Sequence, residues 1–153
     1  MEFNRVMEIS HQCERLIYRF LKVLEGEQAK TADLFAPDGT AFGLVGRDEI
    51  RGHFGEIESV DNNLNVNIST NLVIDVEDEN HVSATNYVTH YVSERADESL
   101  RDPSGARIGG ELETPRSITL WSWDFKLVGD EWLIAKLEWP ENVLLRKDVI
   151  DQL

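Results

Sequence analysis

Four histidines, at positions 11, 53, 81 and 90, are candidates for proton transfer, because imidazole titrates near neutral pH. They are scattered along the chain, and no His-x-x-x-His spacing or cysteine pair that would suit a metal ion occurs. The sequence therefore predicts neither a metal site nor another cofactor. His90 lies in a segment rich in β-branched residues together with Asn86, and in a strand these two positions share a face. We predict that His90 transfers the proton and that Asn86 helps to orient it.

The first third of the chain is predicted to be mostly helical. Apolar residues recur at spacings of three and four from Phe3 to Leu24, which indicates an amphipathic helix that ends at Gly26. Cys13 lies on its apolar side and is predicted to be a small core residue. A second helix is predicted over 27–35, a short strand over 40–42 and a third helix over 48–57.

Four long strands are predicted in the rest of the chain, because its segments are rich in Val, Ile, Thr, Tyr and Trp. They cover residues 64–76, 81–94, 116–128 and 131–139. The polar stretch 95–115 is long for a loop in a compact domain, and we interpret it as either a functional flap or a mobile loop. The tail, 140–153, is predicted to form a last helix. Helices followed by an antiparallel sheet predict an α+β architecture.

Both faces of the predicted sheet carry large apolar residues. Trp121, Trp123 and Phe125 share one face of the third long strand, whereas Ile118 and Leu120 share the other. Since helices can cover only one side of the sheet, the other side is expected to meet a second subunit. The sequence therefore predicts a homodimer.

Composition limits the classes of partner. The 153 residues predict a single domain over 1–153 that is large enough to bury a core. With 29 acidic against 15 basic side chains, the net charge of −14 repels nucleic acid and anionic membrane surfaces. No apolar run is long enough to span a bilayer, no signal peptide is recognisable, and the single cysteine favours a reducing compartment. We predict a cytoplasmic protein with neither nucleic acid nor membrane as a partner.

Several short motifs follow one another in an order typical of one protein family. They are a helix before Leu-Phe-Ala-Pro-Asp (34–38), Gly-x-x-x-Ile (46–50), Thr-Asn followed by three apolar residues and Asp (70–75), and Gly-Asp-Glu-Trp-Leu-Ile (129–134). Over residues 16–139 the chain resembles the SnoaL-like branch of the nuclear transport factor two-like superfamily. The resemblance implies a cone-shaped, strongly curved antiparallel sheet wrapped around three N-terminal helices, with a C-terminal helix. It also implies an apolar pocket inside the cone.

Members of this superfamily include ketosteroid isomerases, scytalone and bile-acid dehydratases, polyketide cyclases and structural subunits of dioxygenases. Carried over position by position, their catalytic residues are mostly missing here. The dehydratase aspartate falls at Leu24, and its two histidines fall at Ile68 and near Asn86. The isomerase base falls at Gly43 and its oxyanion-hole acid near Trp123. A glycine cannot abstract a proton, so neither mechanism is supported.

Strand alternation and the facing seen in the family together imply which residues line the pocket. His90 and Asn86 are then the implied catalytic pair, and the bland alternative is that both are ordinary hydrogen-bonded lining residues. The tryptophans are either core or a platform for a flat ligand. The implied substrate-binding residues are Tyr18, Thr70, Val88, Thr119, Trp121 and Trp123.

Two functions remain open from the sequence. The first is a cofactor-independent lyase, isomerase or cyclase that acts on a small hydrophobic carbonyl or polycyclic compound. The second is a non-catalytic ligand carrier or a structural subunit of a larger enzyme complex, which the missing catalytic residues favour. A cavity would favour an enzyme or carrier, whereas a structural subunit can fill the cone with side chains such as Trp121 and Trp123.

Overall fold

Helices and a six-stranded sheet make up the computed structural model, which describes residues 1–153. The long strands follow one another in the second half of the chain, which confirms the predicted α+β class. The helical elements are α1, a 3₁₀ helix, α2 and α3, at Phe3–Leu24, Gln28–Leu34, Arg47–Val60 and Lys147–Ile150. The strands β1 to β6 are Phe35–Ala41, Leu44–Val45, Asn63–Val76, His81–Glu94, Ser117–Val128 and Glu131–Leu145.

The sheet has the strand order β2-β1-β6-β5-β4-β3. Every neighbouring pair is antiparallel except β1 and β6, which run parallel. The four long strands therefore form a meander in which each pairs with the next along the chain. β1 is longer than the predicted strand over 40–42, and the chain turns into β2 through Phe42 and Gly43, both at positive φ. This is the backbone conformation that a two-residue hairpin requires.

The core lies between α1 and the inner face of the sheet. It is one cluster of 21 buried residues, and the inner side of α1 contributes Ile9, Cys13, Leu16, Ile17, Phe20 and Leu21. Cys13 is fully buried, and burial raises the pKa of its thiol to about 12, which confirms it as a core residue. Phe20 packs edge-on against the rings of Phe35, Phe54, Trp121 and Trp123.

A β-bulge divides β3 into two halves. Thr70 pairs with Tyr87 but Val73 pairs with Thr85, so β3 carries one extra residue, and Asn71 there has a φ of 53°. Before the bulge the odd-numbered residues of β3 point toward the interior, and after it the even-numbered residues do. The inner face of β3 is consequently polar in its first half and apolar in its second.

The tail differs from its prediction. β6 continues to Leu145, and the predicted helix over 140–153 is reduced to the single turn Lys147–Ile150. Residues 141–145 pair with the beginning of β5, whose backbone would otherwise lack a partner on that side. Pro140 is tolerated because the register shifts there, and a bulge position does not need the missing N–H.

The segment 95–115 is a hairpin-like extension with its own backbone hydrogen bonds. The amide of Ala96 donates to the carbonyl of Gly109 at 2.7 Å, and the amide of Ile108 donates to that of Leu100 at 3.1 Å. Its return arm packs tightly on the sheet, since a Cβ at Gly110 would lie 2.8 Å from the carbonyl oxygen of Glu94. Whether this extension acts as a flap stays a prediction.

None of the helices has the length and apolarity needed to cross a membrane.

Candidate functional site

A cavity of about 600 Å³ lies between the inner face of the sheet and the helices. This size falls within the roughly 300–1,000 Å³ typical of small-molecule sites. Of its 20 lining residues 10 are hydrophobic, so the lining is mixed. The first half of β3 contributes three asparagines to the polar part of the lining, and the apolar residues come from α1, α2, β4, β5, β6 and the C-terminal tail.

One wall of the cavity is aromatic. Trp121 and Trp139 lie with ring centroids 4.9 Å apart and an interplanar angle of 35°, and both line the cavity together with Phe54. Trp121 is buried, whereas Trp139 is 40% exposed. The ring of Trp139 also packs against Phe42, with ring centroids 4.0 Å apart, so a ligand can contact only its exposed part.

His90 faces this cavity from β4 and belongs to a chain of hydrogen bonds. Its Nε2 lies 2.9 Å from Oδ1 of Asn65, and Nδ2 of Asn65 donates to a carboxylate oxygen of Asp61 at 2.7 Å. A carboxylate only accepts, so it fixes the orientation of the Asn65 amide, and the amide oxygen in turn requires a hydrogen on Nε2 of His90. Neutral His90 is therefore unprotonated at Nδ1.

The Nδ1 atom of His90 is accessible. No side chain donates a hydrogen bond to it. Every buried side-chain nitrogen or oxygen in the structure has a hydrogen-bond partner, so an Nδ1 without a partner is not buried. His90 lines the cavity, and Nδ1 is its ring nitrogen that keeps a free lone pair. This is the geometry that a general base requires.

The surroundings of His90 favour its neutral form. Burial lowers the pKa of the imidazole below its ordinary 6.5, and the positive charge of Arg116 lowers the pKa further, while the Asp61 carboxylate opposes both. Most of the imidazole is therefore unprotonated at pH 7, as a base must be.

Replacing Arg116 with glutamine is expected to raise the pKa of His90, because one of the two causes that hold it low disappears. The pKa is measured from the ¹H–¹⁵N NMR titration of the His90 ring. Arg95→Gln is the matched control, since Arg95 lies in a neighbouring cleft and not in the lining of the cavity. A His90 pKa that is unchanged in Arg116→Gln would contradict the proposed role of the guanidinium charge.

The structure brings together four of the residues predicted from the sequence. His90, Val88, Thr119 and Trp121 all line the cavity. The hydroxyl of Thr119 donates a hydrogen bond to Oδ1 of Asn142 at 3.0 Å. The predicted inner face of β4 and β5 is thus the face that borders the cavity.

Asn86 and Trp123 lie outside the lining, which corrects their predicted places in the pocket. Both are buried, and the indole Nε1 of Trp123 donates to Oδ1 of Asn86 at 2.8 Å. Nδ2 of Asn86 donates to the hydroxyl of Ser69 at 2.9 Å. These two bonds satisfy the Asn86 side chain inside the core, so the residue that positions His90 is Asn65 and not Asn86.

Tyr18 and Thr70 also lie outside the lining. Tyr18 is 47% exposed, because it points away from the buried stripe of α1 that contains Ile17 and Leu21. Thr70 is exposed. It directly precedes the bulge in β3, so strand alternation counted back from Leu72 places it on the wrong face of the sheet.

Sequence reasoning missed Asp61, Asn65, Arg116 and Trp139. A signal for the first two was present, since polar residues occupy every second position from Asp61 to Ser69. Alternate residues of a strand share a face, so this spacing indicates a polar stripe beside the strand of His90. No comparable signal existed for Arg116, which follows a long irregular segment.

Asn86→Leu is expected to lower the free energy of unfolding by about 1–3 kcal/mol, because it leaves the indole N–H of Trp123 buried without an acceptor. Urea denaturation followed by circular dichroism measures the change. Thr85→Ala, on the exposed side of the same strand, serves as control and should change stability by about 0.5 kcal/mol or less. Equal losses in the two variants would show that the bond to Trp123 contributes little.

Potential ligands for a metal ion are dispersed. No group of three or more His, Cys, Asp or Glu side chains is placed to hold one.

Known structures share this fold. A candidate scytalone dehydratase from Novosphingobium aromaticivorans superposes with a TM-score of 0.67 at 16% identity over 95% of this chain and 94% of that one. Aln2 from a Streptomyces species gives 0.64 at 14% identity over 95% of each chain. An NTF2-like protein of unknown function from Pseudomonas putida gives 0.67 at 13% identity over 87% and 86%. No protein-family model matches the chain, and no curated protein sequence matches it either.

Proposed function

Because the chain has the NTF2-like fold with a cavity inside it, as its resemblance to SnoaL-like proteins implies, we propose that it binds a small molecule and acts on it as a cofactor-independent lyase, isomerase or cyclase. The substrate would be a hydrophobic carbonyl or polycyclic compound that packs against the exposed part of Trp139. One observation carries the proposal, namely a neutral His90 that lines the cavity and whose Nδ1 has no hydrogen-bond partner in the protein.

The proposed reaction begins with removal of a proton from a carbon next to a carbonyl group. Nδ1 of His90 takes the proton, and the electron pair of the broken C–H bond moves to the carbonyl oxygen as an enolate. The imidazolium so formed donates from Nε2 to Asn65, and the nearby Asp61 carboxylate stabilises its positive charge. Returning the proton to another carbon gives an isomer, whereas returning it to a departing β-hydroxyl group gives water and an alkene.

A ligand carrier is the second candidate, and a specific observation favours it. The positions that carry the dehydratase aspartate and the isomerase base in related proteins hold Leu24 and Gly43 here. Leu24 is itself part of the cavity lining, where it adds apolar surface and no chemistry. A carrier would use the same cavity and aromatic wall but would leave its ligand unchanged.

The experiment combines binding with isotope exchange. Steroids, polyketide-like aromatics, terpenoid epoxides and cyclic ketones are first screened by thermal shift, since a ligand that binds the folded state raises the Tm. Each carbonyl hit is then incubated with the protein in D₂O, and mass spectrometry measures deuterium incorporation next to the carbonyl group. Protein-dependent incorporation supports an enzyme. Binding without exchange or conversion would favour the carrier, and a Tm that no compound shifts would contradict both.

A further inference from the structure

Arg116 makes no direct ion pair with any acidic side chain of the protein, although the chain has 29 acidic side chains. No hydrogen bond from its guanidinium group to a protein acceptor is present either. What distinguishes Arg116 from the other arginines without an ion pair is that it lines the cavity of His90.

The backbone of Arg116 is fixed on both sides. Its amide donates to the carbonyl of His90 at 2.7 Å, and its own carbonyl accepts from the amide of Arg146 at 2.9 Å. The residue is exposed, yet it lines both the main cavity and a neighbouring cleft beside the hairpin 95–115. Its backbone is therefore anchored next to His90, and its guanidinium donors make no hydrogen bond to the protein.

We propose that the guanidinium group of Arg116 binds the carboxylate of an aromatic ligand whose ring system packs against the exposed part of Trp139 within the cavity. The proposal rests on the proposed function, because it names the substrate class of the same site. A guanidinium group matches a carboxylate through two parallel N–H···O bonds, and the aromatic wall supplies the apolar contact.

The charges around Arg116 favour a singly charged group over a phosphate. Asp61 lines the cavity, and Glu94, Glu111 and Glu113 line the neighbouring cleft, so a dianion would meet repulsion from several sides. The nearby Arg146 offers little compensation, since its guanidinium group already binds both carboxylate oxygens of Asp148.

Binding of a carboxylate would also change His90. Once the charge of Arg116 is neutralised by the ligand, one of the causes that lower the pKa of His90 is removed, and the imidazole becomes a stronger base. The substrate would thus activate the group that acts on it.

The test compares two ligands of the same shape, 2-naphthoate and the neutral 2-naphthylmethanol, by isothermal titration calorimetry. Wild-type protein is expected to bind the naphthoate more tightly, and Arg116→Gln to lose about 10- to 100-fold of that affinity while its affinity for the alcohol is unchanged. Arg95→Gln removes the same charge from the neighbouring cleft and should leave both affinities as they are. Thermal unfolding of each variant verifies that it folds.

Three results would overturn the proposal: no binding of naphthoate by the wild type, equal losses for both ligands in Arg116→Gln, or an equal loss in Arg95→Gln. The outcome is separable from that of the proposed function. Arg116-dependent binding without proton exchange on any carbonyl compound leaves this inference standing and contradicts the enzyme. Proton exchange on neutral ketones without Arg116-dependent binding would support the enzyme and contradict this inference.

Discussion

His90→Gln is expected to slow deuterium exchange on a substrate of this protein by about 10²–10⁴-fold, the usual contribution of a positioned general base. Glutamine keeps a polar side chain of similar reach but has no group that takes up a proton near neutral pH. The loss should appear in kcat, because the proton moves only in the chemical step. In the wild type the rate should rise with pH through the lowered pKa of His90 and level off above it.

His53→Gln is the matched control for this variant. His53 lies on the exposed side of α2 and does not line the cavity, so its loss should leave the exchange rate within about twofold. Ligand binding in His90→Gln should also persist, since the aromatic wall is unchanged. An exchange rate that is equal in His90→Gln and in the wild type would contradict the assignment of His90 as the base.

Phe20→Ala is expected to lower the free energy of unfolding by about 3–5 kcal/mol, the range for removing a fully buried aromatic ring. The ring touches the helical and sheet layers at once, and neighbouring side chains cannot move far enough to fill its volume. Its edge-to-face contacts are with Phe35, Phe54, Trp121 and Trp123. Guanidinium denaturation monitored by tryptophan fluorescence measures the loss.

Tyr18→Ala, two residues away in the same helix, separates packing from helix propensity. Both variants place alanine in α1, but Tyr18 is on the exposed side, so its replacement should cost about 0.5 kcal/mol or less. Similar losses in the two variants would show that the aromatic cluster around Phe20 does not hold the layers together. Phe54 and Trp121 belong both to that cluster and to the cavity wall, so Phe20→Ala should weaken ligand binding too.

Apolar periodicity was sufficient to predict most of the elements. The spacing in α1 and the β-branched runs of the four long strands each have one strong local pattern, and the structure confirms them within a few residues. The prediction of a helix in the tail was wrong because the conformation of this segment depends on pairing with a strand distant in sequence. Apolar residues such as Val143 and Leu144 suit a helix as well as a strand, and only pairing with the beginning of β5 selects the strand.

The site was predictable where it depends on simple alternation and was missed where it depends on register. Val88, His90, Thr119 and Trp121 follow from alternation along β4 and β5, and all four line the cavity. Thr70 was misplaced because the bulge at Asn71 leaves no clear mark in the sequence. Asn65 meets His90 only through the pairing of β3 with β4, which no single strand reveals.

Because of the bulge at Asn71, odd-numbered residues face inward in the first half of β3 and even-numbered residues face inward in the second half. The two halves can therefore accept substitutions independently during evolution. The first half contributes Asn63, Asn65 and Asn67 to the lining of the cavity, while Leu72, Ile74 and Val76 in the second half pack against the core. Substitutions in the first half can therefore alter ligand preference without a compensating change in the second. A deletion of one residue at the bulge would shift the register of one half of β3, so that its inward-facing side chains would face outward and its outward-facing side chains inward.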